Sequence, residues 1–208
     1  MDEFAKLIFV GELQKQCRFA LNAVGQINFC LKQLNSQGLA QEEGSYFQSD
    51  VFRGIHSFLT HSSNVSKILW PGLPRREKNE SAEHYKQRIS GLKKVQRAVE
   101  LRAELGLPER HVLSNRKLRD HLEHFDERLD DWEENSQNKN FVQDNIGPED
   151  AIVGIAKTDM MRWFNPENNT FLFRGETFSL QNIVTALAKL LPILAAKEVE
   201  LRQRRIAR

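Results

Sequence analysis

Between residues 2 and 36 apolar side chains return every three to four positions: Phe4, Leu7, Ile8, Leu13, Cys17, Ala20, Leu21, Val24, Ile27, Cys30, Leu31 and Leu34. That period marks one face of an α-helix, and so long a stripe must be buried against other helices. Gly38, after "LNSQG", supplies a C-cap. The same period returns over 45–69 with Phe47, Val51, Ile55, Phe58 and Leu59. A break is expected near "THSSN", and "WPGLPRRE" ends the run because proline cannot continue the hydrogen-bond ladder.

A third helix is predicted over 81–105 (Tyr85, Ile89, Leu92, Val95, Val99), followed by the separator "GLPER". Ser114 reads as the N-cap of a fourth helix. Its seam is Leu118, Leu122, Phe125, Leu129 and Trp132, a narrow stripe. After the polar "NSQNKN" the pattern changes. "AIVGIA" and "MMRWFNPENNTFLFRGETFSL" alternate and are rich in aromatics, with "NPENN" as a hairpin turn. Ser179 opens a last helix to 205, which Pro192 should kink. The expected fold is mainly α: a bundle of about five helices, with a β-hairpin inserted at about 150–178 before the last, in one domain over 1–208.

The chain is 40% hydrophobic and 28% charged, which excludes a disordered polymer, and its net charge of +2 supports no argument from a global field. Cys17 and Cys30 lie in an apolar helical run and read as buried free thiols, in keeping with a reducing compartment. The N-terminus puts acid before a short apolar stretch and does not read as a signal peptide. No run is apolar enough to span a membrane. A cytoplasmic protein without membrane partners is expected.

The fourth helix carries the densest chemistry. At about 100° per residue, with the apolar seam at zero, Arg116, Asp120, His124, Glu127 and Asp131 fall on the opposite face. Asp120 lies one turn before His124 and can fix its tautomer. Arg119 lies roughly 140° around from His124, so the two are not side by side in a straight helix. His121 flanks the seam.

Within this helix "RDHLEH" (119–124) resembles the Arg-x4–6-His motif of the HEPN superfamily, with Asp120 directly after the arginine. "SFLTHSSNVSKILWP" (57–71) and "LRDHLEHFDERLDDW" (118–132) are similar to segments of uncharacterised bacterial proteins of that all-α group. The resemblance covers roughly residues 2–135 and the last helix, but not the hairpin. It implies a HEPN-like bundle with a metal-independent endoribonuclease site, or a descendant serving only as a binding or scaffold protein. It also implies a homodimer in which the motifs of two protomers face each other, RNA as substrate, a toxin–antitoxin or defence setting with a cognate antitoxin protein, and no cofactor. The catalytic residues would be Arg119, Asp120 and His124, with Arg116 and His121 binding substrate. Arg116 and His121 share the motif's spacing, so the pair can also be read one turn earlier. Histidine suits the proton transfers of RNA cleavage, and arginine the phosphate charge.

Other constellations compete. Glu123, Asp126, Glu127, Asp130 and Asp131 invite a Mg²⁺-dependent all-α nucleotide pyrophosphatase, but no second helix supplies the partner ladder of acids. From Arg75 to Arg102 nine Arg/Lys face four Glu, a solvated face or a phosphate-contacting one. His56 and His61 lack a third ligand. Trp163, Phe164, Phe171 and Phe173 read as packing, or as a surface for a partner.

Overall fold

The N-terminal apolar period is realised as α1, Glu3–Leu34, in a computed structural model that describes residues 1–115 and 124–207. α2 spans Gln41–Leu69, α3 Ala82–Ser90, α4 Lys93–Glu104 and α5 Phe125–Asn135. The strands follow: β1 Val142–Ile146, β2 Met160–Asn165, β3 Thr170–Phe173 and β4 Glu176–Ser179. α6, Leu180–Ile206, closes the described chain. Short 3₁₀ turns lie at Val112–Ser114 and Lys157–Asp159. The described residues are thus mainly helical, with one small sheet.

These elements divide into two compact units, and α1, α2 and α6 each lend a segment to both. The first unit takes residues 1–19, 61–115 and 186–207. It buries Val10, Leu13 and Cys17 of α1, Val65 and Leu69 of α2, Leu101 of α4, and Leu187, Leu190, Leu194 and Leu201 of α6. The second takes 20–60 and 124–185. It buries Ile27 and Cys30 of α1 and Val51, Phe52, Ile55 and Phe58 of α2. From the sheet it buries Met161, Trp163, Phe164, Phe171 and Phe173. Gly54 lets α2 approach α1 in this unit: a Cβ there would lie 2.7 Å from Ile27 Cγ1.

The expected break at "THSSN" is absent, and α2 runs through it. His61 Nδ1 lies 2.8 Å from Gln16 Oε1, and Asn64 Nδ2 donates to the same oxygen at 3.1 Å. Partners on α1 thus satisfy side chains that would otherwise compete with the helix. The single helix expected over 81–105 is two. Gly91 ends α3, its N–H reaching the Gln87 carbonyl, and Leu92 opens α4 from an extended conformation. Ser114 ends the 3₁₀ turn, where its hydroxyl accepts the His111 N–H at 3.4 Å, closing a capping box, and donates to the His111 carbonyl at 2.6 Å; the start of the helix it was expected to cap lies outside the described residues.

The hairpin around "NPENN" is present as β2 and β3, paired antiparallel through Phe164 and Phe171. Asn165 Oδ1 accepts the Glu167 N–H, and Asn169 takes the left-handed conformation that asparagine tolerates. The insertion is larger than a hairpin. β4 returns antiparallel to β3 across Arg174-Gly175, both at positive φ, and β1 runs parallel to β2 at the other side, giving the order β1-β2-β3-β4. "AIVGIA" is not a strand. Its Ile152 and Ile155 instead pack on Trp163, Met160 and Leu172. Ser179 caps the last helix as expected, accepting the Asn182 N–H. Pro192 lies within α6, where it cannot donate to the Ala188 carbonyl.

Candidate functional site

His124 stands at the N-cap of α5, not inside a helix turn. Its φ of −116° and ψ of 44° are not helical, so the continuous wheel assumed through residues 116–132 fails at this residue. Arg116, Arg119, Asp120 and His121, with Leu118 and Leu122 of the seam, lie outside the described residues. Of the remaining seam positions Phe125, Leu129 and Trp132 are half-buried; on the opposite face His124 and Glu127 are exposed, but Asp131 is half-buried and pairs with Arg174.

Phe125 meets Phe173 of β3 edge-on, with ring centroids 6.4 Å apart. Trp132 donates its indole N–H to the Asn140 carbonyl at 2.7 Å and packs on Phe141. Asp131 is ion-paired with Arg174 at the β3–β4 turn. These contacts hold α5 against the sheet and set His124 at the helix end. Asp126 and Glu127 occupy the first turn, where negative charge complements the helix dipole.

The His124 imidazole is half exposed, and its Nδ1 lies 2.9 Å from Glu127 Oε1. A carboxylate can only accept, so this contact calls for a proton on Nδ1 and leaves Nε2 as the basic nitrogen. The orienting carboxylate expected from the sequence was Asp120; the one described is Glu127, three residues on. Glu127 sat on the same polar face of the wheel and was legible there as an i,i+3 partner.

Among the described residues no group of three or more His, Cys, Asp or Glu side chains is placed to share a metal ion. The acids of α5 spread: Asp131 is committed to Arg174, and Asn135 donates to its other carboxylate oxygen. Both cysteines are free and buried, and burial pushes the Cys17 thiol up to about 12, which makes it inert. His61 is tied to Gln16, while His56 is exposed on α2.

A second feature lies beside α5. Phe52, Ile55 and His56 of α2, Phe125 of α5, Arg162 of β2 and Phe171 of β3 line a cavity of about 280 Å³. Arg162 is paired with Asp144 of β1, Nε 2.6 Å from Oδ1 and Nη2 donating to Oδ2 at 3.0 Å. Its guanidinium lies 5.9 Å from the Phe52 centroid and 5.5 Å from that of Phe125. Burial pushes the Asp144 carboxyl up, and the arginine beside it opposes that shift. No motif flagged Arg162, because its partner Asp144 sits on a strand too polar to be recognised.

Among the described residues no helix is long and apolar enough to cross a membrane. Comparisons with family models, curated proteins and solved structures find no match.

Proposed function

We propose that this chain is a HEPN-like, metal-independent endoribonuclease. Its Arg119–His124 motif would lie at a homodimer interface, so that an arginine and a histidine from two protomers share one phosphate. The observation that carries the reading is His124, half exposed at the head of α5 with Nδ1 held by Glu127 at 2.9 Å. In that state Nε2 accepts the proton of an RNA 2′-hydroxyl. The freed oxygen attacks the adjacent phosphorus, and the 5′-oxygen of the next nucleotide leaves. The leaving oxygen takes its proton from the partner protomer's histidine or from water. Arg119 offsets the charge that builds on the phosphorane. Glu127 holds the ring and stabilises the imidazolium formed.

The test is cleavage of a panel of single-stranded RNAs in excess EDTA. Wild type cuts, and His124→Ala loses on the order of 100-fold or more. Arg119→Ala loses a similar factor, and Glu127→Gln less, because it orients the ring and transfers no proton. Equal, background-level cleavage by wild type and His124→Ala would replace the enzyme with a HEPN-like binding or scaffold protein. Activity that appears only with Mg²⁺ would point to the nucleotide pyrophosphatase chemistry.

A further inference from the structure

The cavity beside α5 has the walls of a small-ring site. Phe52, Ile55 and Phe171 form a buried apolar floor, while half-buried Phe125 and Arg162 and exposed His56 stand at the rim. At about 280 Å³ it falls at the lower edge of the roughly 300–1,000 Å³ of small-molecule pockets. It therefore admits one ring system rather than a whole dinucleotide. Arginine has five N–H donors in a fixed fork. Among the described residues Asp144 occupies the Nε–Nη2 side of Arg162, which leaves Nη1 and the second N–H of Nη2 for another acceptor. An arginine clamped on one side by a carboxylate presents two parallel donors in a fixed direction. Two adjacent acceptors on a planar ring match that pair, as the O6 and N7 of guanine do.

Position gives the cavity its role. Phe125 directly follows His124, so their Cα atoms are about 3.8 Å apart. His124 does not itself line the cavity, but it is the residue next to Phe125, which does, so a nucleotide whose base is held against Phe125 can extend toward the head of α5. We infer that this cavity is the base pocket of the same site and takes an unstacked guanine of single-stranded RNA, stacked on Phe125 and read by the free end of the Arg162 fork. The role rests on the ribonuclease reading, but the binding does not require cleavage. Single-stranded RNA is commonly held in this way, by aromatic faces and arginine planes.

The experiment uses the full chain and fluorescently labelled, 2′-O-methyl uridine heptamers with A, C, G or U at the centre. The methyl group blocks the attacking oxygen, so anisotropy reports binding alone. The guanine heptamer should bind tightest. Phe125→Leu should weaken it on the order of 10-fold by removing the stacking face. Arg162→Lys, which keeps the charge but loses the fork, should erase the preference for guanine. Should Arg162→Lys fail to fold without its pairing to Asp144, Phe125→Leu and the exposed His56→Ala, expected to weaken binding several-fold, carry the test. Failure of all four heptamers to bind would overturn the inference. So would binding that is equal for all four and unchanged in Phe125→Leu. Guanine-selective binding without cleavage of ordinary RNA would keep the pocket and remove the ribonuclease. Cleavage without base selectivity would do the reverse.

Discussion

His111 caps the Val112–Ser114 turn through Nδ1, which accepts the Leu113 N–H at 3.2 Å, while its ring stacks on Trp70 with centroids 5.0 Å apart. Burial lowers its pKa and also that of His61. Both folded values therefore lie below the unfolded value near 6.5, and the unfolded chain takes up protons first. Stability is complete above that pH and is lost as pH falls through the folded values. Protonation of Nδ1 also removes the acceptor the cap needs. The melting temperature should drop between pH 7 and pH 5, and His111→Asn, which can still accept as a cap, should drop less. The His61 contribution remains in that variant. Identical drops in the two proteins would contradict the cap. At this scale the sequence singled out His124 and paired it with Asp120, which lies outside the described residues; that pairing assumed one helix through residue 124, where the described helix instead begins at Phe125. The pairing seen, His124 with Glu127, needs only the local i,i+3 step of a helix that begins at Phe125.

Elements were legible where their period was apolar. α1, α6 and the "NPENN" hairpin fall within a few residues of their expected places because burial of a single face repeats along them. β1 was missed because "VQDNI" carries Gln143, Asp144 and Asn145, and its parallel pairing to β2 leaves no local turn signal. β4 had one, the Arg174-Gly175 pair at positive φ, hidden inside a run read as a single strand. Gly91 divided a helix that periodicity alone joined. Gly54 does the opposite: it sits inside α2, where alanine would be the better helix former by about 1 kcal/mol. A Cβ there would collide with Ile27 Cγ1, and Ile27 is buried and β-branched, so it cannot swing aside. Overpacking of this kind costs typically about 1–3 kcal/mol. Gly54→Ala should therefore destabilise by about 1 kcal/mol net and lower the melting temperature by roughly 2–4 °C. A higher melting temperature would mean that α1 and α2 do not approach so closely.

For the whole molecule, the proposed ribonuclease site would need two copies of the chain. The exposed side of α5 carries His124, Glu127 and Asp130 and no large apolar residue. A shared site would join polar faces, and removing His124 should not unfold the protein. Sedimentation at micromolar concentration should give a dimer; a monomer would remove the composite site. The central claim is that the attacking group is the RNA's own 2′-hydroxyl, deprotonated at His124. The direct measurement is the chemistry of the cut ends in EDTA, on one RNA made twice, with and without a 2′-hydroxyl at the cleaved nucleotide. The account predicts a 2′,3′-cyclic phosphate and a 5′-hydroxyl from the first, and an intact second. A 3′-hydroxyl with a 5′-phosphate, or cutting of the 2′-deoxy version, would mean that water attacks and would contradict it.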